Sequence, residues 1–217
     1  MMKSIALTAM KGGVGKTTLA VHLAVAAMRA GETVAIIDTD PQASAAAWAR
    51  VRNGGSPDVV PVPVQRLAQA LAAAADDYTV VIVDTAPRAS TEAATVCGAV
   101  DMAVIPTRPS AVDLETLEQS VRIVQAAKCE GLIVLNACPA RAPEIAEARG
   151  YAASLGLTVA AVAIGERRPF ARAFAEGAGI AERERGAASD EVAALWSEVA
   201  AQLGIAPRPK RLANVTA

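Results

Sequence analysis

"AMKGGVGKTT", residues 9–18, decides how the rest of the chain is read. The strict phosphate-loop pattern G-x-x-x-x-G-K-[ST] would place a glycine at position 10, and Met10 stands there instead. The glycine is supplied two residues later, because Lys11 is followed by Gly12 and Gly13. An apolar run, SIALTAM at 4–10, leads into the stretch and reads as a buried strand. TTLAVHLAVAAMRA at 17–30 follows, with apolar residues at helical spacing and a stop at Gly31. Strand, glycine turn and helix together make the setting in which backbone N–H groups and a positive helix end collect phosphate oxygens. Gly12, Gly13, Val14, Gly15 and Thr18 then form the cradle, and Lys16 reaches the β- and γ-phosphates. The Thr17 hydroxyl is placed to ligate Mg²⁺. A glycine turn with no ligand is the plainer alternative, and the whole run KGGVGKTT between strand and helix argues against it.

Composition sets the outer limits. Of 217 residues, 53% are hydrophobic and only 3% aromatic, which means a core of Ala, Val, Leu and Ile suited to buried strands. The length suits one domain, residues 1–204, with 205–217 expected to be a flexible tail. A formal net charge of −1 excludes bulk charge as a route to nucleic acid, so any such site must be a local patch. Three cysteines without C-x-x-C spacing and a lone histidine, His22, argue against a Cys/His metal centre and for reduced, buried thiols. No targeting segment or membrane-spanning run is read, so a cytoplasmic protein is expected.

The strand-to-helix alternation recurs along the chain. Strands are expected at 33–40 (TVAIIDTD), 59–64 (VVPVPV, weakened by its prolines), 78–87 (YTVVIVDTAP), 101–106, 131–136 and 157–164. Helices are expected at 43–52, 64–76, 110–127 and near 189–203. The helix at 110–127 opens on Ser110 with Asp113 three residues on, a capping pair, and should bury Leu114, Leu117, Val121 and Val124. This pattern predicts an α/β fold: a mostly parallel twisted sheet of about seven to eight strands with helices on both faces. Ligands bind such sheets beyond the carboxyl ends of the strands. Residues 10–18, 38–41 and 84–88 all fall at such ends.

With Lys11 beside Lys16, the loop resembles the deviant Walker A motif of the ParA/MinD family of P-loop ATPases. The resemblance extends to IIDTDPQAS at 36–44 and to VVIVDTAP at 80–87, which is similar to a Walker B strand, and so covers nearly the whole chain. It implies ATP and Mg²⁺ as cofactors and ATP hydrolysis as the activity. Lys11 would be the signature lysine that crosses a homodimer interface to the partner's phosphates. Asp40 would position the attacking water, while Asp38 and Asp84, with Thr17, would bear on the metal. Lys11, Lys16 and Asp40 are thus the expected catalytic set. Thr85, Ala86, Pro87 and Arg88 would form the second switch. Asn136 occupies the place of an adenine-binding asparagine, and a strand-end asparagine satisfying a turn is the competing reading.

The compact members without an N-terminal helix-turn-helix are the nearest in kind, since the first strand begins at residue 4. That implies segregation of plasmid or chromosomal DNA, or positioning of another large cargo, by a nucleoid-associated cytoplasmic ATPase. The partners implied are a second copy on ATP binding, nonspecific DNA, and a ParB-like or other cargo-adaptor protein that stimulates hydrolysis. Nonspecific DNA binding needs clustered cations. The candidates are Arg167, Arg168 and Arg172, with Arg208, Lys210 and Arg211 in the tail. A membrane-cycling, MinD-like regulator would end in a basic amphipathic helix, which the last helix does not offer. A small-molecule synthetase resembling dethiobiotin synthetase is the alternative from another class.

Overall fold

The computed structural model describes residues 1–87 and 90–206. Arg88, Arg208, Lys210 and Arg211 lie outside the described residues, as does all but the first two positions of the expected tail. The described strands are β1 (Lys3–Leu7), β2 (Val34–Asp38), β3 (Asp58–Pro61), β4 (Val80–Asp84), β5 (Met102–Thr107), β6 (Glu130–Leu135) and β7 (Thr158–Val159). The helices are α1 (Lys16–Arg29), α2 (Ser44–Arg52), α3 (Leu67–Ala74), α4 (Ser90–Cys97) and α5 (Ala111–Ala126). They continue with α6 (Glu144–Ser154), α7 (Arg168–Ala175), α8 (Ile180–Arg183) and α9 (Ala187–Gln202).

The strands form a single seven-stranded sheet in the order β3-β2-β4-β1-β5-β6-β7, and every pairing is parallel. Both faces are covered, which is why β2 and β4 are buried at every residue and read as unbroken apolar runs. Successive side chains alternate between faces. Ile5, Leu7, Ile36, Ile82 and Val104 pack in a core shared with α1 and α9. Ala6, Ile37 and Val83 pack on the other face with Leu67 and Leu71 of α3. Farther along that face, Ile105 and Ile133 meet Leu117, Val121 and Val124 of α5. Of the stripe expected on α5, Leu114 is only partly buried, at the seam between two clusters.

Register is what assembles the site. Leu7 of β1 pairs with Asp84 of β4, and Asp84 pairs with Asp38 of β2. The phosphate loop and both strand-end aspartates therefore leave the sheet at one level along its carboxyl edge.

Some boundaries differ from expectation, each for a physical reason. The last strand, expected over 157–164, is cut to Thr158–Val159. Ala160 and Ile164 still donate to the Ile133 and Leu135 carbonyls, at 2.8 and 2.9 Å, but the residues between them bulge away. Glu198 captures the Ala161 and Val162 N–H groups at 2.8 and 2.9 Å, and Arg149 donates to the Ala160 and Ala161 carbonyls. Side chains thus replace the ladder. The strand at 59–64 ends at Pro61, and the helix after it begins as a 3-10 turn, Val64–Arg66. Helices α4 and α6 are among those not foreseen. Ala148 and Ala152 are the buried residues of α6, so no large apolar stripe announces it.

Candidate nucleotide site

The loop between β1 and α1 turns on glycines where the backbone demands them. Gly13 and Gly15 take φ of +76° and +94°, a region that costs other residues 1–2 kcal/mol or so. Gly15 is needed twice over, because a Cβ there would lie 2.3 Å from the Asn136 amide nitrogen. Val14 is buried and pins the loop to the core. Gly15 caps α1 without a side chain of its own, so the first N–H groups of the helix stay available to an anion.

Lys16 is buried and folds back over the loop, donating to the Ala9 and Lys11 carbonyl oxygens at 3.3 and 3.4 Å. Burial lowers its pKa, against the opposing pull of Asp84 and Asp40. These contacts are long, and an anion in the loop is the stronger partner for the ammonium.

Asp84 is fully buried, and neither carboxylate oxygen closes a hydrogen bond among the described residues. Burial pushes its pKa up to about 7; Asp38 and Asp40 add to the rise, while the Thr17 hydroxyl and Lys16 oppose it. A buried carboxylate with both oxygens unspent, facing the Thr17 hydroxyl, is the donor set a Mg²⁺ ion takes when phosphate and water complete its shell. Among the described residues no group of three or more His, Cys, Asp or Glu side chains is built to hold a metal alone. Thr17 and Asp84 therefore fit a metal that arrives with the nucleotide.

Asp38 and Asp40 also do local structural work. Asp38 is buried, and its oxygens accept the Asp40 and Ala46 N–H groups at 3.1 and 3.0 Å. Burial raises its pKa while these N–H groups hold it down. Asp38 thus braces the loop into α2, and its oxygens carry spare lone pairs only. Asp40 is half-buried and accepts the Gln42 N–H at 2.9 Å, an Asx turn that engages one of its two oxygens.

Lys11 forms an ion pair with Asp113 of its own chain at 2.8 Å. The same stretch is tied twice more. The Met10 N–H donates to Ser120 Oγ at 3.1 Å, and Arg108 donates to the Gly13 carbonyl at 2.6 Å. Arg108 and Ser120 were not singled out in sequence, and Asp113 was read only as a cap. Ser110 does cap α5 as expected, accepting the Asp113 N–H at 3.3 Å.

Beside the loop lies a cavity of about 270 Å³ lined by Val14, Thr18, Asn136, Ile164, Arg167 and Phe170, among others. Asn136 is buried and donates its amide nitrogen to the Val14 carbonyl at 2.7 Å. Its oxygen is left as the group to offer a ligand, an acceptor that suits an exocyclic amine. The contact to Val14 is of the kind the competing reading expects, a strand-end asparagine satisfying a backbone group in a turn. Of the arginines put forward for DNA, Arg167 is paired with Glu191 and lines this cavity. Arg168 and Arg172, four residues apart on α7, are exposed.

The chain matches the profile described as "CobQ/CobB/MinD/ParA nucleotide binding domain" over residues 5–180. It is 34% identical over 197 residues to "Maintenance of carboxysome distribution protein A" of Gloeobacter kilaueensis, covering 89% of this chain and 90% of that one. Among solved structures, apo McdA of Cyanothece superposes with a TM-score of 0.79 at 17% identity, over 92% of this chain and 100% of that one. MinD of Pyrococcus horikoshii in complex with Mg-ADP gives 0.76 at 17% identity, over 94% and 98%. The glycine turn, the level strand-end aspartates and the profile match agree, and the chain belongs to the CobQ/CobB/MinD/ParA family of nucleotide-binding domains.

Proposed function

We propose that this chain is a Mg²⁺-dependent ATPase that pairs with a second copy when ATP is bound, associates with DNA in that state, and partitions DNA or positions another large cargo. The observation that carries the reading is the buried, unpartnered carboxylate of Asp84, set across from Thr17 at the mouth of a loop that also holds Lys16. Gly12 to Thr18 bind the phosphates, and Lys16 leaves its two carbonyl oxygens to meet them. Thr17 and Asp84, with Asp38 behind, hold the metal, which when bound neutralises phosphate charge. Asp40 orients the attacking water. Asn136 offers its oxygen to the adenine amino group. Lys11 leaves Asp113 and reaches the phosphates of the partner copy, which makes pairing depend on the nucleotide. Arg168 and Arg172 supply the DNA contact, and a ParB-like or cargo-adaptor protein stimulates hydrolysis. The name of the Gloeobacter relative, which concerns carboxysome distribution, supports cargo positioning. The setting is the cytoplasm, on the nucleoid; no helix among the described residues is long and apolar enough to cross a membrane.

Sedimentation of the full chain with Mg-ATP and with Mg-ADP tests this, alongside DNA retention over a salt series. ATP alone should produce a dimer, and DNA affinity of that form should fall steeply and linearly in log salt. Lys11→Ala should bind ATP and stay monomeric. A wild-type chain that remains monomeric with ATP, or a Lys11→Ala chain that dimerises as well as wild type, removes the reading. ATP turnover that responds to a small-molecule acid and not to DNA or protein would move the chain to the synthetase class.

A further inference from the structure

His22 lies on α1 one helical turn beyond Thr18, and Thr18 lines the cavity beside the loop. It is 1% exposed. Its ring stands 5.1 Å from that of Phe170, centroid to centroid, and tilted by 58°. Phe170, on α7, lines the same cavity from the other side. Nδ1 accepts the N–H of Ile180, the first residue of α8, at 3.0 Å. The ring proton therefore sits on Nε2. One side chain thus joins α1 to Phe170 of the cavity wall through a ring contact, and to the first N–H of α8, the helix that follows α7.

The segment between those helices is seated closely. Gly177 has φ of +65°, and a Cβ there would lie 2.4 Å from the Arg52 nitrogen. A Cβ on Gly179 would lie 2.5 Å from Val25 of α1. Trp48 donates to the Ala178 carbonyl at 3.3 Å and Arg52 to the Gly177 carbonyl at 3.0 Å. These contacts fasten residues 177–179 to α1 and α2. His22 also meets Phe170, a residue of the cavity wall.

We propose that His22 is a positioning residue for the base of the nucleotide: by accepting the Ile180 N–H and bracing Phe170, it sets the width of the cavity against the phosphate-loop helix. This rests on the reading that the cavity takes the base. His22 lies on α1 outside the Gly12–Thr18 stretch proposed to hold the phosphates, so its loss should weaken base binding and spare phosphate binding.

Calorimetric titration of the full chain with Mg-ATP and with Mg-tripolyphosphate tests it, on wild type, His22→Leu, His22→Asn and His22→Gln. Leucine fills similar space but leaves the buried Ile180 N–H without an acceptor. The asparagine oxygen falls where Nδ1 was, whereas the glutamine amide extends toward the Nε2 position. His22→Leu and His22→Gln should lose about tenfold in ATP affinity with tripolyphosphate affinity nearly unchanged, and His22→Asn should recover most of the loss. ATP binding by the leucine variant at wild-type strength overturns the inference, as does equal weakening of both ligands or a glutamine variant that matches asparagine. If the leucine variant does not fold, the asparagine–glutamine comparison decides alone. A wild-type chain that binds tripolyphosphate as tightly as ATP overturns the base-cavity reading itself, whatever the variants do.

Discussion

Asp84 is a carboxylate buried without a hydrogen-bond partner among the described residues, and that burial has a cost that pH reveals. Its pKa rises from 3.8 to about 7, chiefly through burial. Between those values the folded chain keeps a proton that the unfolded chain has lost, so this group makes stability fall as pH rises. Asp84→Asn should remove that slope. In the absence of Mg²⁺ the variant and wild type should melt alike near the lower value, and at pH 8 the variant should melt higher by several degrees, since about 1 kcal/mol moves Tm by roughly 2–4 °C at this size. On the proposed function the order should reverse with Mg-ATP, because the variant lacks the carboxylate proposed to face the metal. Scanning calorimetry at both pH values checks the sign. A variant that melts lower than wild type at pH 8 without Mg²⁺ would mean that the carboxylate is paired after all.

At the scale of elements, the phosphate loop is held by its neighbour α5 and the turn before it. Asp113 takes the Lys11 ammonium, Ser120 takes the Met10 N–H, and Arg108 takes the Gly13 carbonyl. Asp113 is buried while Lys11 is only half-covered, so the ion pair is partly desolvated and stronger than an open surface pair. On the proposed function, Lys11 must exchange Asp113 for the partner's phosphates, and the contact within the chain opposes pairing. Asp113→Asn weakens that competitor and keeps the shape. The ATP-dependent dimer should then form at a several-fold lower protein concentration, an effect of roughly 1 kcal/mol. Sedimentation of wild type and variant at matched ATP measures it. An unchanged or weakened dimer would make Asp113 a structural cap only.

For the whole molecule, the sheet order decides what meets at the carboxyl edge. β1 lies between β4 and β5, so the loop after β1 is flanked by Asp84 on one side and by the turn into α5 on the other. Nucleotide binding to such an edge joins α1, α5, α7 and the ends of β2 and β4, elements far apart in the chain. Mg-ATP at about 100 times its Kd should stabilise the fold by about 2.7 kcal/mol, or some 5–10 °C in Tm. Lys16→Ala should abolish that shift while leaving the ligand-free Tm near wild type, since the Lys16 contacts to the Ala9 and Lys11 carbonyls are long. A variant that keeps the full shift would take Lys16 out of the phosphate site.

Much of this was written locally and could be read locally. The turn at Gly12–Gly15, the apolar strand before it, the Ser110 cap and the aspartates at 38 and 84 follow from φ preferences, periodicity and strand ends, which act over a few residues. Alanine-faced α6 and the broken β7 were hidden. The first buries no large side chain, and the second is interrupted by Glu198 and Arg149, which arrive from other helices. The partners of Lys11 and His22 were equally hidden. Asp113 carries no mark of its reach to Lys11, and Ile180 meets His22 across 158 positions. By itself the sequence determined that a phosphate loop and two strand-end carboxylates exist. Only the tertiary structure decided which carboxylate is left unpartnered, where Lys11 rests and which ring meets Phe170, because those depend on distances set by sheet register and helix packing.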